Sequence, residues 1–236
     1  MALPKIQTPV FDIVIPSLNK PVEFRPFIVK EEKILLMAQQ SSDQRDIVRA
    51  IKQIITNCCL DTTISVNQFT TTDLEYVFLK LRSKSVNNII EIQYTDEEDG
   101  KMYKFDVDLD EVDVTKPKDA NNNIKINDDI GIIMCYPSAA IIDQIETFQD
   151  EVEILNFFIK KCIVEIYDEE NVYPANEHTD QELQDFIDDM DVMSFDKIRE
   201  YLDSAPKLNH VIKYTNSLGN EKEIVMDNLR DFFILR

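Results

Sequence analysis

The side chains able to do chemistry are abundant in one class and scarce in every other. The chain of 236 residues has 45 Asp and Glu against 25 Lys and Arg, and two histidines, His178 and His210. Carboxylate-pair catalysis needs two acids that converge in space with their pKa values pushed apart. Adjacent acids such as Glu169-Glu170 and Asp188-Asp189 do not specify that arrangement. His178 lies in an acidic polar loop and reads as solvent-exposed or carboxylate-paired. His210, between Asn209 and Val211, reads as structural. Neither belongs to a nucleophile or metal-binding motif. Cys58, Cys59, Cys135 and Cys162 include no C-x-x-C pair, so they read as reduced, buried thiols and not as zinc ligands. The acidic turn Asp96-Glu97-Glu98-Asp99-Gly100 invites a calcium reading. Placing Gly100 at the loop's invariant glycine puts Thr95 first and Asp106 last, where an EF-hand needs Asp and Glu. Three glycines in the whole chain leave no phosphate-cradling loop. No catalytic residue, metal or cofactor is therefore assigned. One enzymatic alternative stays open, a dispersed acidic site.

Charge narrows the partners. A net charge of -20 and a pI near 4.4 oppose binding to nucleic acid or an anionic membrane. The longest apolar run, Ile130 to Tyr136, is too short to span a bilayer. Met1 to Lys5 lacks a signal-peptide core. The acid-dense run from Glu177 to Asp203 reads as solvated helix faces, with attraction of a basic partner as the alternative.

The elements that must position these residues give an α+β fold. Phe11, Ile13 and Ile15 alternate, a turn follows over Pro16 to Pro21, and Val22 and Phe24 open a second extended run to Val29. A helix is predicted from Lys30, with Ile34, Leu35, Met37 and Ala38 on its apolar side. Ser42 or Asp43 caps a second helix with a seam of Ile47, Val48, Ile51, Ile54, Ile55 and Cys58. Thr72 and Glu75 have capping-box spacing ahead of Leu74, Val77, Phe78 and Leu81. A hairpin follows, with Ile90, Ile92 and Tyr94 on one face of its first strand and Tyr103, Phe105, Val107 and Leu109 on one face of the return strand. Residues 115–129, with Lys116 and Lys118, read as a polar loop. Ile130 to Pro137 reads as a buried strand or helix. Ser138 caps a helix through Ile141, Ile142, Ile145 and Phe148, and a broad-faced helix is predicted from Val152 to Tyr167. Thr179 and Glu182 repeat the capping-box spacing, a helix starts near Ser194, and a hairpin surrounds Asn216 to Asn220. Phe232 to Leu235 form an apolar tail. The expectation is an α+β domain of antiparallel hairpins packed on helices over 1–136, then a mostly helical domain with a terminal β-hairpin over 137–236.

Two stretches carry a resemblance. Phe24-Arg25-Pro26-Phe27-Ile28-Val29-Lys30-Glu31-Glu32-Lys33, followed by Asp73 to Val86, resembles the baseplate hub proteins of T4-like contractile-tailed bacteriophages, as does the opening Ala2-Leu3-Pro4-Lys5. The chain has Asn87-Asn88 where that resemblance implies a small residue or glycine. The likeness implies a non-enzymatic viral protein that helps assemble the central baseplate hub, as an assembly chaperone or a hub subunit. It implies partners among other baseplate hub or tail proteins, with no nucleic acid, membrane or small-molecule substrate. It also implies a place in the host cytoplasm during assembly, or in the virion tail baseplate. Arg25, Pro26, Phe27, Glu31, Glu32, Tyr76, Arg82 and Lys84 are the matched candidates for partner contact. The same residues have a competing reading as fold-specifying side chains.

Overall fold

The computed structural model describes residues 6–40, 44–115, 121–141, 144 and 150–232. Within them are six helices and eleven strands in four small antiparallel sheets. The chain packs as two compact units. One joins residues 1–115 to 207–236, and the other is 116–206. This partition differs from a boundary after residue 136.

The first unit begins with β1 (Phe11–Ile15) and β2 (Lys20–Phe24). Their register sets Ile13 opposite Val22, so period-2 alternation sends Ile13, Ile15, Val22 and Phe24 into the core. Three helices follow: α1 (Val29–Gln39), α2 (Gln44–Cys58) and α3 (Thr71–Ser85). Helix α2 buries Ala50, Ile51, Ile54, Ile55 and Cys58 along one stripe. On α3 the expected Leu74, Val77, Phe78 and Leu81 are buried, joined by Leu79. Strands β3 (Ile89–Thr95) and β4 (Met102–Asp108) pair as Ile90 with Val107, Ile92 with Phe105 and Tyr94 with Tyr103. The turn between them places Gly100 at φ +69, a left-handed conformation that glycine adopts without Cβ strain. The short β5 (Asp113–Val114) meets the late strand β10 (Leu208–Thr215), which also pairs with β11 (Glu221–Met226). The Thr115 N–H donates to the Lys207 carbonyl at 2.8 Å, and the Lys207 N–H to Thr115 Oγ1 at 2.9 Å.

The second unit is a four-stranded sheet in the order β6 (Asn123–Lys125), β7 (Gly131–Met134), β8 (Ile163–Tyr167), β9 (Val172–Pro174). Helices α4 (Glu151–Cys162), α5 (Asp180–Asp188) and α6 (Val192–Asp203) complete it. Ile132, Met134, Ile159, Cys162, Leu183 and Ile198 share its core. Tyr136 stacks on Tyr201 with ring centroids 4.7 Å apart.

The expected mostly helical C-terminal part does not fit. Of the described residues, 40% are helical and 28% are in strands, and five of the eleven strands begin after residue 130. The predicted helix from Val152 to Tyr167 ends at Cys162, and β8 starts at the next residue with no loop between. Ile159, Cys162, Ile163 and Ile166 keep helical spacing across that junction, which is why periodicity ran straight through it. β-Branched Ile163, Val164 and Ile166 instead supply the strand that β7 needs as a partner. Strands β5 and β6 likewise lie in or beside the stretch read as a polar loop.

Local details also shift. Thr70, not Thr72, caps α3: its hydroxyl accepts from the Asp73 N–H, and Asp73 accepts in return from the Thr70 N–H. Helix α6 starts at Val192, two residues before Ser194, and Asp191 caps it. Met37 is exposed, not on the buried side of α1. Cys58 and Cys162 are buried as expected, while Cys135 is exposed. Residues 139–141 and 144 are in 3-10 conformation. Ala2 to Lys5, Ser42, Asp43, Lys116 to Lys118, Ile142, Ile145, Phe148 and Phe233 to Leu235 lie outside the described residues.

Candidate interaction site

The two matched stretches meet in the first unit. Pro26 ends the extended run after β2, and the chain enters α1 three residues later. This forces Arg25 and Glu31 together across the junction. Arg25 donates from one terminal nitrogen to Glu31 Oε1 at 3.0 Å and to the Asn57 carbonyl at 2.9 Å. The other nitrogen donates to Glu31 Oε2 at 3.3 Å and to the Pro26 carbonyl at 3.0 Å. Glu31 has 0% exposure. It also accepts the Ile28 N–H at 3.0 Å, satisfying a donor that the helix start would otherwise orphan. Burial works to raise the Glu31 pKa, but the bonds from Arg25 and Ile28 outweigh it and hold the carboxylate below its ordinary value. The same pairing holds the Arg25 pKa above its own.

Phe27 connects this knot to the second stretch. It is buried, stacks parallel to Phe78 with centroids 6.5 Å apart, and its N–H donates to Ser85 Oγ at 2.9 Å. Pro26 is buried beside it in sequence, whereas Glu32 is half-buried in the first turn of α1.

Farther along α3, cations hold the segment after β4. Lys80 Nζ donates to the carbonyls of Leu109, Asp110 and Val112 at 3.0, 2.8 and 2.8 Å. It also lies 5.1 Å from the centre of the Tyr76 ring, a cation–π distance. Burial lowers the Lys80 pKa. Asp110 accepts from Ser83 Oγ and pairs with Lys84 at 2.9 Å. Tyr76 and Arg82 are half-buried on α3, and Lys84 keeps 46% of its side chain exposed.

Of the eight candidates, Arg25, Pro26, Phe27 and Glu31 thus converge at one junction. Tyr76 and Lys84 lie along α3 with Lys80. The roles of Lys80, Ser83, Ser85 and Asp110 carried no local signal, since each depends on a segment more than twenty residues away or on a backbone group.

A second polar cluster joins the β3–β4 turn to β10–β11. Tyr214 donates to Asp96 Oδ2 at 2.6 Å, Tyr103 to Asp99 Oδ2, and Ser217 donates to Asp99 from both N–H and hydroxyl. Glu98 accepts from Asn216, Asn220 and Lys222. The Tyr214 bond draws the Asp96 pKa below its ordinary value, the Lys222 bond does so for Glu98, and the Tyr103 bond holds Asp99 well below. Asp96 and Glu98 line a polar depression with Glu97, Glu223, Tyr94 and Tyr214. They sit there as ionised acceptors already engaged by neighbours, which suits a fastening and not a proton donor near neutral pH.

The second unit holds a cavity of about 270 Å³ whose surface is overwhelmingly apolar. Ile130, Ile166, Leu183 and Phe186 line it with the rings of Tyr167 and Tyr173. His178, Asp168 and Glu182 complete the lining. His178 Nδ1 is 3.9 Å from Glu182 Oε2, in keeping with the carboxylate-paired reading.

Among the described residues no group of three His, Cys, Asp or Glu is arranged to hold a metal ion, and no helix is long and apolar enough to cross a membrane. No curated protein and no solved structure matches the chain. A family model described as T4 bacteriophage base plate protein matches residues 8–234, which include both stretches of the Arg25–Glu31 and α3 junction. The chain belongs to the T4 bacteriophage base plate protein family.

Proposed function

We propose that this protein acts in the central hub of the baseplate through protein–protein contacts, as an assembly chaperone or a hub subunit, and not as an enzyme. The observation that carries the baseplate role is the family match over residues 8–234. Support for the hub comes from the resemblance of residues 24–33 and 73–86 to hub proteins. The partners are other baseplate hub or tail proteins. Glu32 and Lys84 are the matched side chains proposed to reach them, since each retains exposed surface. Arg25, Pro26, Phe27 and Glu31 are proposed to shape that surface from beneath, and Tyr76 and Arg82 to flank it on α3. The enzymatic alternative would have to work through acids such as Asp96, Glu98 and Asp99, whose oxygens are already accepting hydrogen bonds within the fold.

The test is quantitative mass spectrometry of purified mature virions beside partly assembled baseplates from infected host cytoplasm. A stoichiometric amount in both makes the protein a hub subunit. Presence in the intermediates alone makes it a chaperone that leaves. Absence from both refutes the proposal.

A further inference from the structure

From Glu165 to Asp191 the chain carries eleven Asp and Glu and no Lys or Arg. Nine of the eleven fall on the elements that build the apolar cavity of the second unit, β8, β9, α5 and the turns between them. Both acids of the lining are held as anions. Asp168 accepts from the Tyr173 hydroxyl and from the Glu170 and Asn171 N–H groups, and Glu182 from the Thr179 N–H and hydroxyl. These donors are neutral, so the hydrogen bonds themselves add no positive charge. Across the span one ion pair to a lysine is present among the described residues, Lys161 to Asp180 at 3.2 Å.

The combination selects an occupant. A volume of about 270 Å³ is below the about 300–1,000 Å³ of typical small-molecule sites and suits one large side chain. The aliphatic and aromatic walls favour an apolar or aromatic tip. The acids around it favour cations on either side of that tip, both by steering encounter and by rejecting acidic competitors. We propose that this cavity is the docking socket for a basic segment of a partner protein, which inserts one phenylalanine- or leucine-sized side chain flanked by lysine or arginine. The proposal rests on the tail-assembly reading only for the identity of the partner as a baseplate protein.

The experiment uses the full chain, methyl-labelled at Ile and Leu, titrated with a synthetic nonapeptide of lysines around one central phenylalanine. Two control peptides replace the phenylalanine by alanine, or the lysines by glutamate. The lysine–phenylalanine peptide is expected to shift the methyl signals of Ile130, Ile166 and Leu183. It is expected to bind at least tenfold more tightly than the alanine peptide, as an anchor side chain should. The glutamate peptide should not bind. The variant E169Q/E170Q/E177Q, on exposed positions, should weaken binding about tenfold while leaving the free-protein spectrum folded. Equal affinity for the alanine peptide would reduce the effect to surface charge and overturn the socket, as would binding that leaves the three methyl signals unmoved. A chain found in baseplates that fails to bind loses the socket but keeps its tail role. A chain that binds the peptide yet is absent from virions and intermediates keeps the socket and loses that role.

Discussion

Replacing Arg25 by Met should cost about 3 kcal/mol of stability, because it strands a carboxylate that has no access to water. Glu31 is fully buried and takes two of its three hydrogen bonds from Arg25. Removing one partner of a buried pair typically costs about 3–5 kcal/mol. The lower end applies here because the Ile28 N–H remains to Glu31 and Arg25 itself is 20% exposed. At about 2–4 °C per kcal/mol for a chain of this size, the melting temperature should fall by roughly 6–12 °C. The double variant R25M/E31M removes both charges and should recover most of the loss, giving a coupling energy of about 2 kcal/mol or more. The pH dependence follows from the depressed Glu31 pKa. The contribution is fully present above the carboxyl's unfolded pKa of about 4.3 and is lost as pH falls through the folded value. The gap between wild type and R25M should therefore close under acid conditions. Urea unfolding followed by circular dichroism, at pH 7 and at stepped lower pH, measures all of this. A single variant within about 0.5 kcal/mol of wild type, or a double variant whose cost is the plain sum of the singles, would refute the reasoning. The stabilised double variant also isolates the fold role: if it still enters baseplates, Arg25 is not needed for partner contact.

Three further outcomes are expected. Burial, with Asp227 and Asp231 nearby, pushes the Glu75 pKa up to about 7 while the Leu229 N–H donates to it. The folded state then holds a proton that the unfolded chain releases above about 4.3, so stability falls between those values; E75Q should gain up to about 3 kcal/mol at pH 8 and nothing below pH 4, by parallel urea titrations. A Cβ at Gly131 would overlap the Tyr167 hydroxyl, which donates to Asn123 at 2.6 Å; G131A should displace that ring and cost about 1–3 kcal/mol, and a melt unchanged from wild type would contradict the packing. Y214F removes the bond that lowers the Asp96 pKa, so the Asp96 carboxyl should titrate closer to its ordinary value by side-chain NMR while Glu98, held first by Lys222, stays put.

Where one periodicity governed a segment, its sequence announced the element. The alternation through Ile90, Ile92 and Tyr94 and the turn at Gly100 marked β3–β4, and Val211 to Met226 marked β10–β11. Where two elements abut with no turn, periodicity misled, as at Cys162 and Ile163. The cap of α3 shows a subtler failure. Thr72 with Glu75 obeyed the usual capping pair, yet Asp73 served Thr70 because it also had to accept the Ser17 N–H from the β1–β2 turn at 3.0 Å. That freed Glu75 to reach Leu229. The Arg25–Glu31 pair was within reach of sequence as a motif but not as a contact, because nothing local says that Pro26 folds the chain back on itself. The cavity was invisible, since its walls come from segments around Ile130, Ile166 and Leu183 that have no common pattern.

The first unit takes its edge strands from both ends of the chain: β5 waits for β10, and the β3–β4 turn waits for Tyr214 and Ser217. During translation, residues 1–115 leave the ribosome while the 91 residues of 116–206 have yet to be made. At about 5–20 residues per second that is a delay of roughly 5–20 s. For that interval the Tyr103, Phe105 and Tyr94 rings lack the Tyr214 ring that tilts against them in the finished protein. A nascent chain is thus born with an unfinished aromatic surface, and any nonsense mutation upstream of Tyr214 would make that condition permanent.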